Sequence, residues 1–217
     1  MECQKSKVHK HTKTPIKRYP TPTAKFQWLN LDICGPFPEI SGYQYLLTIY
    51  DRYTRWTTAI PIPNMTAETV AKAFMHGWVS NYGVPAYIST DSARIFCGVI
   101  WTKLTTQLLG CKSIRTSPRR PESNSGIERY HRSLKGAIMT HLNNRSWLDA
   151  LPIVLLGLRT ALKEDMGCSS SDMVFGQSLS LPSDIVLKQH GDINTPEPLA
   201  YHERLSKIMS QLFFLKI

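Results

Sequence analysis

Residues 26 to 62 have the pattern of three β-strands. In FQWLNLDIC, the apolar residues Leu29, Leu31 and Ile33 stand at every second position, which is the period of a strand. GPFPEISG then turns the chain. The next two segments, YQYLLTIY and TRWTTAIP, are rich in β-branched and aromatic residues and predict a hairpin. Three such sequential strands predict an antiparallel meander.

The following region changes to helical spacing. TAETVAKAFMHGWVSNY predicts a helix that Thr66 caps and Gly83 ends. AYIST predicts a short strand that finishes at Asp91, VIWTKLTTQLLG a helix, and CKSIRTS another strand. Because a strand–helix–strand unit joins parallel strands, we expect an α/β sandwich with a mixed five-stranded sheet flanked by helices.

The last part of the chain is predicted to be helical. PRRPESNSG has the prolines, serines and glycine of a loop, and GIERYHRSLK then opens a helix of about four turns. Ser146 and Asp149 have the spacing of a capping box, ahead of the apolar helix WLDALPIVLLGLRTALK. One short helix is expected around SSDMVFG, and an amphipathic segment at 198 to 217.

Composition bounds the class of protein. A chain of 217 residues, 42% of them hydrophobic, is large enough for one domain of about 150 residues plus arms. The net charge of +10 favours a polyanionic partner, with nucleic acid first. Residues 1–25 form a basic N-terminal arm, since no acid stands between Glu2 and Asp32. This arm is either a solvated leader or a segment that contacts DNA.

The cysteines and apolar runs indicate the compartment. Five scattered cysteines, with no pair at zinc-knuckle spacing, favour a reducing intracellular environment, so we expect a nuclear or cytoplasmic protein that is not secreted. The N-terminus lacks the apolar core of a signal peptide. The longest apolar run, LPIVLLGL, predicts a buried helix, and no membrane partner is expected.

Three carboxylates are candidates for metal chemistry. Asp32 is the only charge in its strand, Asp91 ends a strand, and Glu128 lies early in a helix. Each alone has a structural explanation, as a hydrogen-bonded strand residue, a turn residue or a partner of the helix dipole. Together they fit a two-metal site for phosphoryl transfer, which needs few carboxylate ligands and open positions for phosphate and water.

The helix after Glu128 carries cations on the same side. Arg132 and Lys135 follow Glu128 by four and seven residues, and His131 is close to that face. These side chains would hold phosphates beside the metals. The alternative is a Glu128–Arg132 ion pair on a solvated face.

Several pieces of the chain match a known family in their order, from about residue 26 to residue 187. They are LDICGPFP, GYQYLLTIYDRYTRW, AIPIPNMTAETVAKAF, NYGVPAYISTD, GIERYHRSLK and LPIVLLGLRTALKEDMGCSSSDMVFG. In these pieces the chain resembles the integrase catalytic core of a gypsy-type LTR retrotransposon, within the retroviral integrase superfamily. The resemblance implies an RNase H-like fold at 26–187, with a truncated, partly helical extension at 188–217.

The resemblance also implies an activity and its residues. Asp32, Asp91 and Glu128 become the catalytic and metal-binding triad for two Mg²⁺ or Mn²⁺ ions. The implied enzyme is a polynucleotidyl transferase and endonuclease that performs 3′-end processing and strand transfer of element DNA into target DNA, as a homo-oligomer. The candidate DNA-binding residues are Arg120, Asn124, His131, Arg132 and Lys135. Asp51 matches a family position too, but we expect it to satisfy turn amides.

The chain departs from the family pattern at several positions. Ala93 replaces a usual glycine, Arg120 replaces a usual histidine, and Asn124 is followed by serine where the family has glycine. Thirty-six residues separate Asp91 from Glu128 where thirty-five is usual, and we place the extra residue in WTKLTTQLLG.

The start of the chain resembles the tail of the family's zinc module. Cys3 would be the last of the four ligands, and the other three are absent from this sequence. Because one cysteine cannot form a structural zinc site, we expect no bound zinc. The alternative function is a catalytically inactive or domesticated integrase-like protein that binds nucleic acid or protein partners. A related RNase H-type nuclease is disfavoured, because the helices after residue 145 match integrases.

Overall fold

The computed structural model describes residues 21–115, 125–141 and 146–181, without the side chains of residues 125 and 141. The basic arm before residue 21 and the amphipathic segment at 198 to 217 lie outside these residues. So do Cys3, Arg120 and Asn124. The predicted domain boundaries at 25/26 and 187/188 therefore stay predictions.

The central element is a five-stranded mixed sheet. Its strands are β1 (Trp28–Cys34), β2 (Tyr45–Asp51), β3 (Thr57–Ile62), β4 (Tyr87–Thr90) and β5 (Lys112–Arg115). The strand order is β3-β2-β1-β4-β5, with β1, β2 and β3 antiparallel and with β4 parallel to both β1 and β5. The predicted meander and the predicted parallel unit are both confirmed.

Helices cover both faces of this sheet. They are α1 (Ala67–Phe74), α2 (Ser80–Tyr82), α3 (Arg94–Cys97), α4 (Val99–Thr102), α5 (Ser125–His141), α6 (Trp147–Thr160) and α7 (Ser170–Phe175). A small antiparallel hairpin, β6 (Leu162–Lys163) and β7 (Cys168–Ser169), joins α6 to α7. None of the helices among the described residues is long and apolar enough to cross a membrane.

The helix predicted at 66–82 contains an irregular turn. Thr66 caps its start by accepting a hydrogen bond from the amide of Thr69 at 3.3 Å, and Gly83 ends it with a φ of 82°. Between α1 and α2, Met75–Val79 is π-helical. This turn brings Gly77 so close to the sheet that an added Cβ would overlap the Ile60 side chain.

A second π-helical turn lies in the segment predicted to contain an extra residue. Lys103–Leu108 follows α4 directly with π-helical backbone. A π turn closes hydrogen bonds from residue i to i+5, so it holds one residue more than an α turn. The extra residue of WTKLTTQLLG can therefore be accommodated inside this helix.

Each face of the sheet packs into its own apolar cluster. On one face, Leu29 and Ile88 pack with Phe74 of α1 and with Trp101 of α4. On the other face, Leu46 and Tyr50 pack with the apolar stripes of α5 and α6. Because both faces are covered, β1 is almost entirely buried, although its sequence alternation alone would also fit a strand with one solvated face.

Candidate active site

The register of β1 and β4 determines where the two aspartates lie. The parallel pairing ends with Asn30 opposite Ser89. Asp32 comes two residues after Asn30, and Asp91 comes two residues after Ser89, just past the end of β4, near enough for its charge to act on Asp32. Neighbouring strands are about 4.8 Å apart. Leu29 packs on the α1 face, and Asp32 stands three residues further on, so strand alternation turns Asp32 toward α5. The same alternation applies to Ile88 and Asp91.

Helix α5 brings Glu128 to this edge. Its buried stripe, which includes Ile127, Tyr130 and Leu134, packs against the sheet. Glu128 is exposed beside the stripe, yet its charge acts on Asp32. The structure therefore brings the three predicted carboxylates into one electrostatic neighbourhood, with Asp32 as its most buried member.

The pKa of Asp32 reports this neighbourhood. Burial raises the pKa of Asp32 from 3.8 to about 6, and the charges of Asp91 and Glu128 add to the rise. A hydrogen bond from the Ile33 amide to Oδ1 at 2.8 Å and the charge of Lys135 act in the opposite direction. Asp32 thus carries a negative charge that its protein neighbours compensate incompletely.

His131 joins α5 to the sheet beside Asp32. Its Nε2 lies 2.7 Å from the Thr48 hydroxyl, which itself donates to the Asp32 main-chain oxygen at 2.8 Å. Because the Thr48 hydroxyl proton is already used in that bond, His131 is the donor to the Thr48 oxygen, and we assign the imidazole proton to Nε2. Nδ1 then faces Asp32 Oδ2 at 3.8 Å without a proton of its own.

This histidine is neutral at physiological pH. Burial, with the charge of Lys135, lowers the pKa of His131 to about 4. The contact with Asp32 is therefore not an ion pair at neutral pH. The sequence placed His131 among the phosphate-binding cations, whereas the structure buries most of its ring between Thr48 and Asp32. Its assignment to DNA binding stays a prediction, and no sequence signal pointed to Thr48.

The segment after Asp91 explains one departure from the family pattern. Asp91 Oδ1 accepts a hydrogen bond from the Ala93 amide at 3.0 Å, which closes a small turn. Ala93 has a φ of −58°, a conformation open to any residue, so the usual glycine is not needed at this position.

The remaining candidates differ in how they relate to the carboxylates. Lys135 is exposed on α5. Burial raises the pKa of Asp32 and Cys34, and the charge of Lys135 opposes this rise; burial lowers the pKa of His131, and the same charge lowers it further. Arg132 is exposed on the same helix, in the turn between Glu128 and Lys135. The DNA-binding roles of both side chains stay predictions.

Asp51 has the structural role expected of it. Its Oδ2 accepts hydrogen bonds from the Thr54 amide at 3.0 Å and from the Thr54 hydroxyl at 2.7 Å. These bonds close the turn between β2 and β3, and the structure does not bring Asp51 to the three carboxylates.

The donor set suits a hard divalent cation. Within the described residues, no three or more His, Cys, Asp or Glu side chains are arranged to hold a metal ion together. Repulsion among three carboxylates opposes such an arrangement. The chemistry fits nevertheless, because carboxylate oxygens are the ligands of Mg²⁺ and Mn²⁺, and the raised pKa of Asp32 reflects charge that a cation would neutralise.

No protein-family model matches the chain. It is 29% identical over 189 residues to the retrovirus-related Pol polyprotein from transposon 412 of Drosophila melanogaster, covering 86% of this chain and 15% of that protein. It is 30% identical over 125 residues to the Gag-Pol polyprotein of feline leukemia virus, covering 56% of this chain and 7% of that protein. The chain thus spans less than a fifth of either polyprotein.

The fold is also found among solved structures. The catalytic core domain of HTLV-2 integrase in complex with magnesium, in its trimeric form, aligns with a TM-score of 0.56 and 17% identity. The alignment covers 70% of this chain and 97% of that domain. This likeness confirms the predicted RNase H-like fold.

Proposed function

Because the chain belongs to the Pol family of retroviruses and retrotransposons, we propose that it is the integrase catalytic core of a gypsy-type LTR retrotransposon. It would trim the 3′ end of element DNA with water and then join that 3′ hydroxyl to a phosphodiester of target DNA. One observation carries the proposal: the β1–β4 register sets Asp32 beside Asp91, on the face where α5 supplies Glu128.

We assign metal binding to the three carboxylates. Asp32, Asp91 and Glu128 would hold two Mg²⁺ or Mn²⁺ ions, which supply activation of the attacking oxygen and stabilisation of the leaving oxygen. Asp32 is held rigidly, since its main chain is in the central part of the sheet and accepts a bond from Thr48. Lys135 and Arg132 would position phosphates on the exposed side of α5.

The partners follow from charge and from the relatives. A net charge of +10 favours DNA, both the element ends and the target. The HTLV-2 core is described as trimeric and magnesium-bound, and we propose that this chain also acts as a homo-oligomer with divalent metal. A protein that acts on chromosomal DNA would be located in the nucleus or in an intracellular particle.

A strand-transfer assay tests the proposal. The native chain, with and without an added zinc module, is incubated with Mn²⁺ and a duplex that ends in the element's terminal sequence. Joined products are expected from the native chain and from Lys72→Gln, an exposed substitution on the opposite face of the sheet. Glu128→Gln should form none.

One result would contradict the proposal. If neither form of the native chain yields joined products while circular dichroism shows it folded and it still binds DNA, the catalytically inactive alternative is favoured.

A further inference from the structure

A pocket of about 180 Å³ opens on the side of α5 that faces away from the carboxylates. Arg129 and Ser133 of α5 line it, together with Arg55 from the β2–β3 turn and Lys163 and Asp165 from the β6–β7 hairpin. At about 100° per residue, Arg129 lies about a third of a helical turn, and Ser133 nearly half a turn, from the side of Glu128 and Lys135. The pocket is thus separate from the site formed by the three carboxylates.

Three cations meet one carboxylate in this pocket. The Arg55 guanidinium donates to the Tyr50 hydroxyl at 3.1 Å and forms an ion pair with Asp165 at 2.9 Å. Lys163 Nζ donates to the Leu158 main-chain oxygen at 3.1 Å. Burial lowers the pKa of Lys163; the charge of Asp165 opposes this shift, and the charge of Arg55 adds to it. Positive charge therefore exceeds negative charge around a confined space.

Hydroxyl groups at the base of the pocket add unused hydrogen-bonding capacity. Tyr130 and Thr57 both line the pocket, and both hydroxyl oxygens are buried. The Thr57 hydroxyl lies close enough to Tyr130 for a hydrogen bond between them to lower the pKa of Tyr130, and neither oxygen has any other partner within the described residues. A bond between the two hydroxyls uses one of their two protons, and a bound oxyanion would supply an acceptor for the other.

The backbone conformation of Arg55 is a further sign that this pocket binds a ligand. Its φ of 62° lies in the left-handed region, which an arginine rarely adopts. Thr54 and Asp51 maintain the turn, and the Ser170 hydroxyl donates to the Arg55 main-chain oxygen at 3.0 Å. The protein thus holds this guanidinium at the pocket in spite of local strain.

We propose that this pocket binds a phosphate group. Guanidinium and ammonium groups with hydroxyl donors match the several oxygens of a tetrahedral anion, and one carboxylate against three cations leaves charge for it to neutralise. The pocket has room for one phosphate but not for a nucleotide with its base. The phosphate would come either from a nucleic-acid backbone or from the free ion, and the site does not depend on the activity of the carboxylates.

Phosphate titration tests the proposal directly. Inorganic phosphate is added at constant ionic strength, and the melting temperature is measured for the native chain, Arg129→Gln, Lys163→Gln and the control Lys72→Gln. The native chain and the control should show a saturable rise in melting temperature. Removing one charged donor should weaken phosphate binding by about tenfold or more. Equal shifts in all four proteins, or none, would overturn the proposal.

A second measurement guards against variants that fold poorly. Phosphate added to the native chain should shift the backbone amide resonance of Gly126, which lines the pocket, and leave that of Gly83 unchanged. Absence of this shift would overturn the proposal by itself.

Binding of a short duplex of arbitrary sequence then identifies the source of the phosphate. If the pocket variants bind the duplex about tenfold more weakly than Lys72→Gln does, the pocket takes a backbone phosphate. If duplex affinity is unchanged while phosphate binding is lost, the pocket takes the free ion. Both results support the phosphate site, and both are independent of strand transfer.

Discussion

Replacing Asp32 with asparagine should make the metal-free protein more stable at neutral pH. The substitution removes the buried charge that Asp91 and Glu128 repel, while the asparagine oxygen can still accept the Ile33 amide bond. The residue would therefore be retained for its function at the expense of stability, which is common for groups in active sites.

The size and pH range of this effect follow from the pKa of Asp32. Folding raises the pKa of Asp32 from 3.8 to about 6, so Asp32 ionises at a lower pH in the unfolded chain than in the folded protein. The native fold then loses stability as the pH rises from about 4 to about 6. A shift of roughly two units at about 1.4 kcal/mol each sets an upper limit of about 3 kcal/mol. Asp32 is 30% exposed, and solvent screening reduces the expected gain to about 1–2 kcal/mol.

Urea denaturation followed by circular dichroism provides the assay. In EDTA at pH 7.5, Asp32→Asn should have the higher free energy of unfolding, and the difference should disappear below about pH 4. Asp172→Asn is the matched control of opposite sign, because hydrogen bonds from Ser169 and Ser178 hold the pKa of Asp172 below its usual value. That variant should be less stable than the native chain at neutral pH.

Divalent metal should reverse the ranking. Saturating Mg²⁺ should stabilise the native chain and leave Asp32→Asn unchanged, since a ligand that binds only the folded state stabilises it by mass action. The reasoning is refuted if Asp32→Asn is no more stable than the native chain at pH 7.5 in EDTA, or if the difference between them does not change with pH.

Three further substitutions test packing, polar contacts and capping, each by urea denaturation. Gly77→Ala should destabilise the fold by about 1–3 kcal/mol because its methyl group would overlap Ile60, whereas Gly136→Ala, in open space on α5, should not destabilise it. Thr48→Val should cost about 1–3 kcal/mol by leaving the Asp32 main-chain oxygen and His131 without their shared partner; an unchanged stability would contradict the link between α5 and the sheet. Ser169→Ala should cost about 1 kcal/mol by removing the N-cap of α7, and a cost near zero would show that this cap is not needed.

The sequence was most informative where local rules decide the structure. The alternation in β1, the cap at Thr66, the stop at Gly83 and the N-cap at Ser146 are all present. Each depends on a residue and its close neighbours along the chain. The metal-binding role of the three carboxylates stays a prediction, and the parallel register that brings Asp32 near Asp91, between strands far apart in sequence, could be seen only in the structure.

The features that the sequence did not reveal depend on contacts between distant segments. The π-helical segments are only 5 and 6 residues long, too short to change the apolar periodicity of the helices that contain them. Strands of two residues, such as β6 and β7, are too short to show alternation. The pocket at Arg129 combines α5, a turn and a hairpin, and its cations looked like ordinary surface charge along the chain.

The two ways in which the carboxylates are held differ in their tolerance of mutation. Asp32 lies in β1 and Asp91 directly follows β4, so both are positioned by strands that main-chain hydrogen bonds hold together, and such bonds survive most side-chain substitutions. Glu128 is held only through the side-chain packing of α5, chiefly Ile127 and Leu134. In a lineage that accumulates substitutions without selection, the helix should therefore lose its alignment while the aspartate pair is still in place. Such substitutions would first displace Glu128 from the two aspartates while the domain stays folded. Substitutions in the buried stripe of α5 should therefore be the first sign that a chain of this kind has lost its activity.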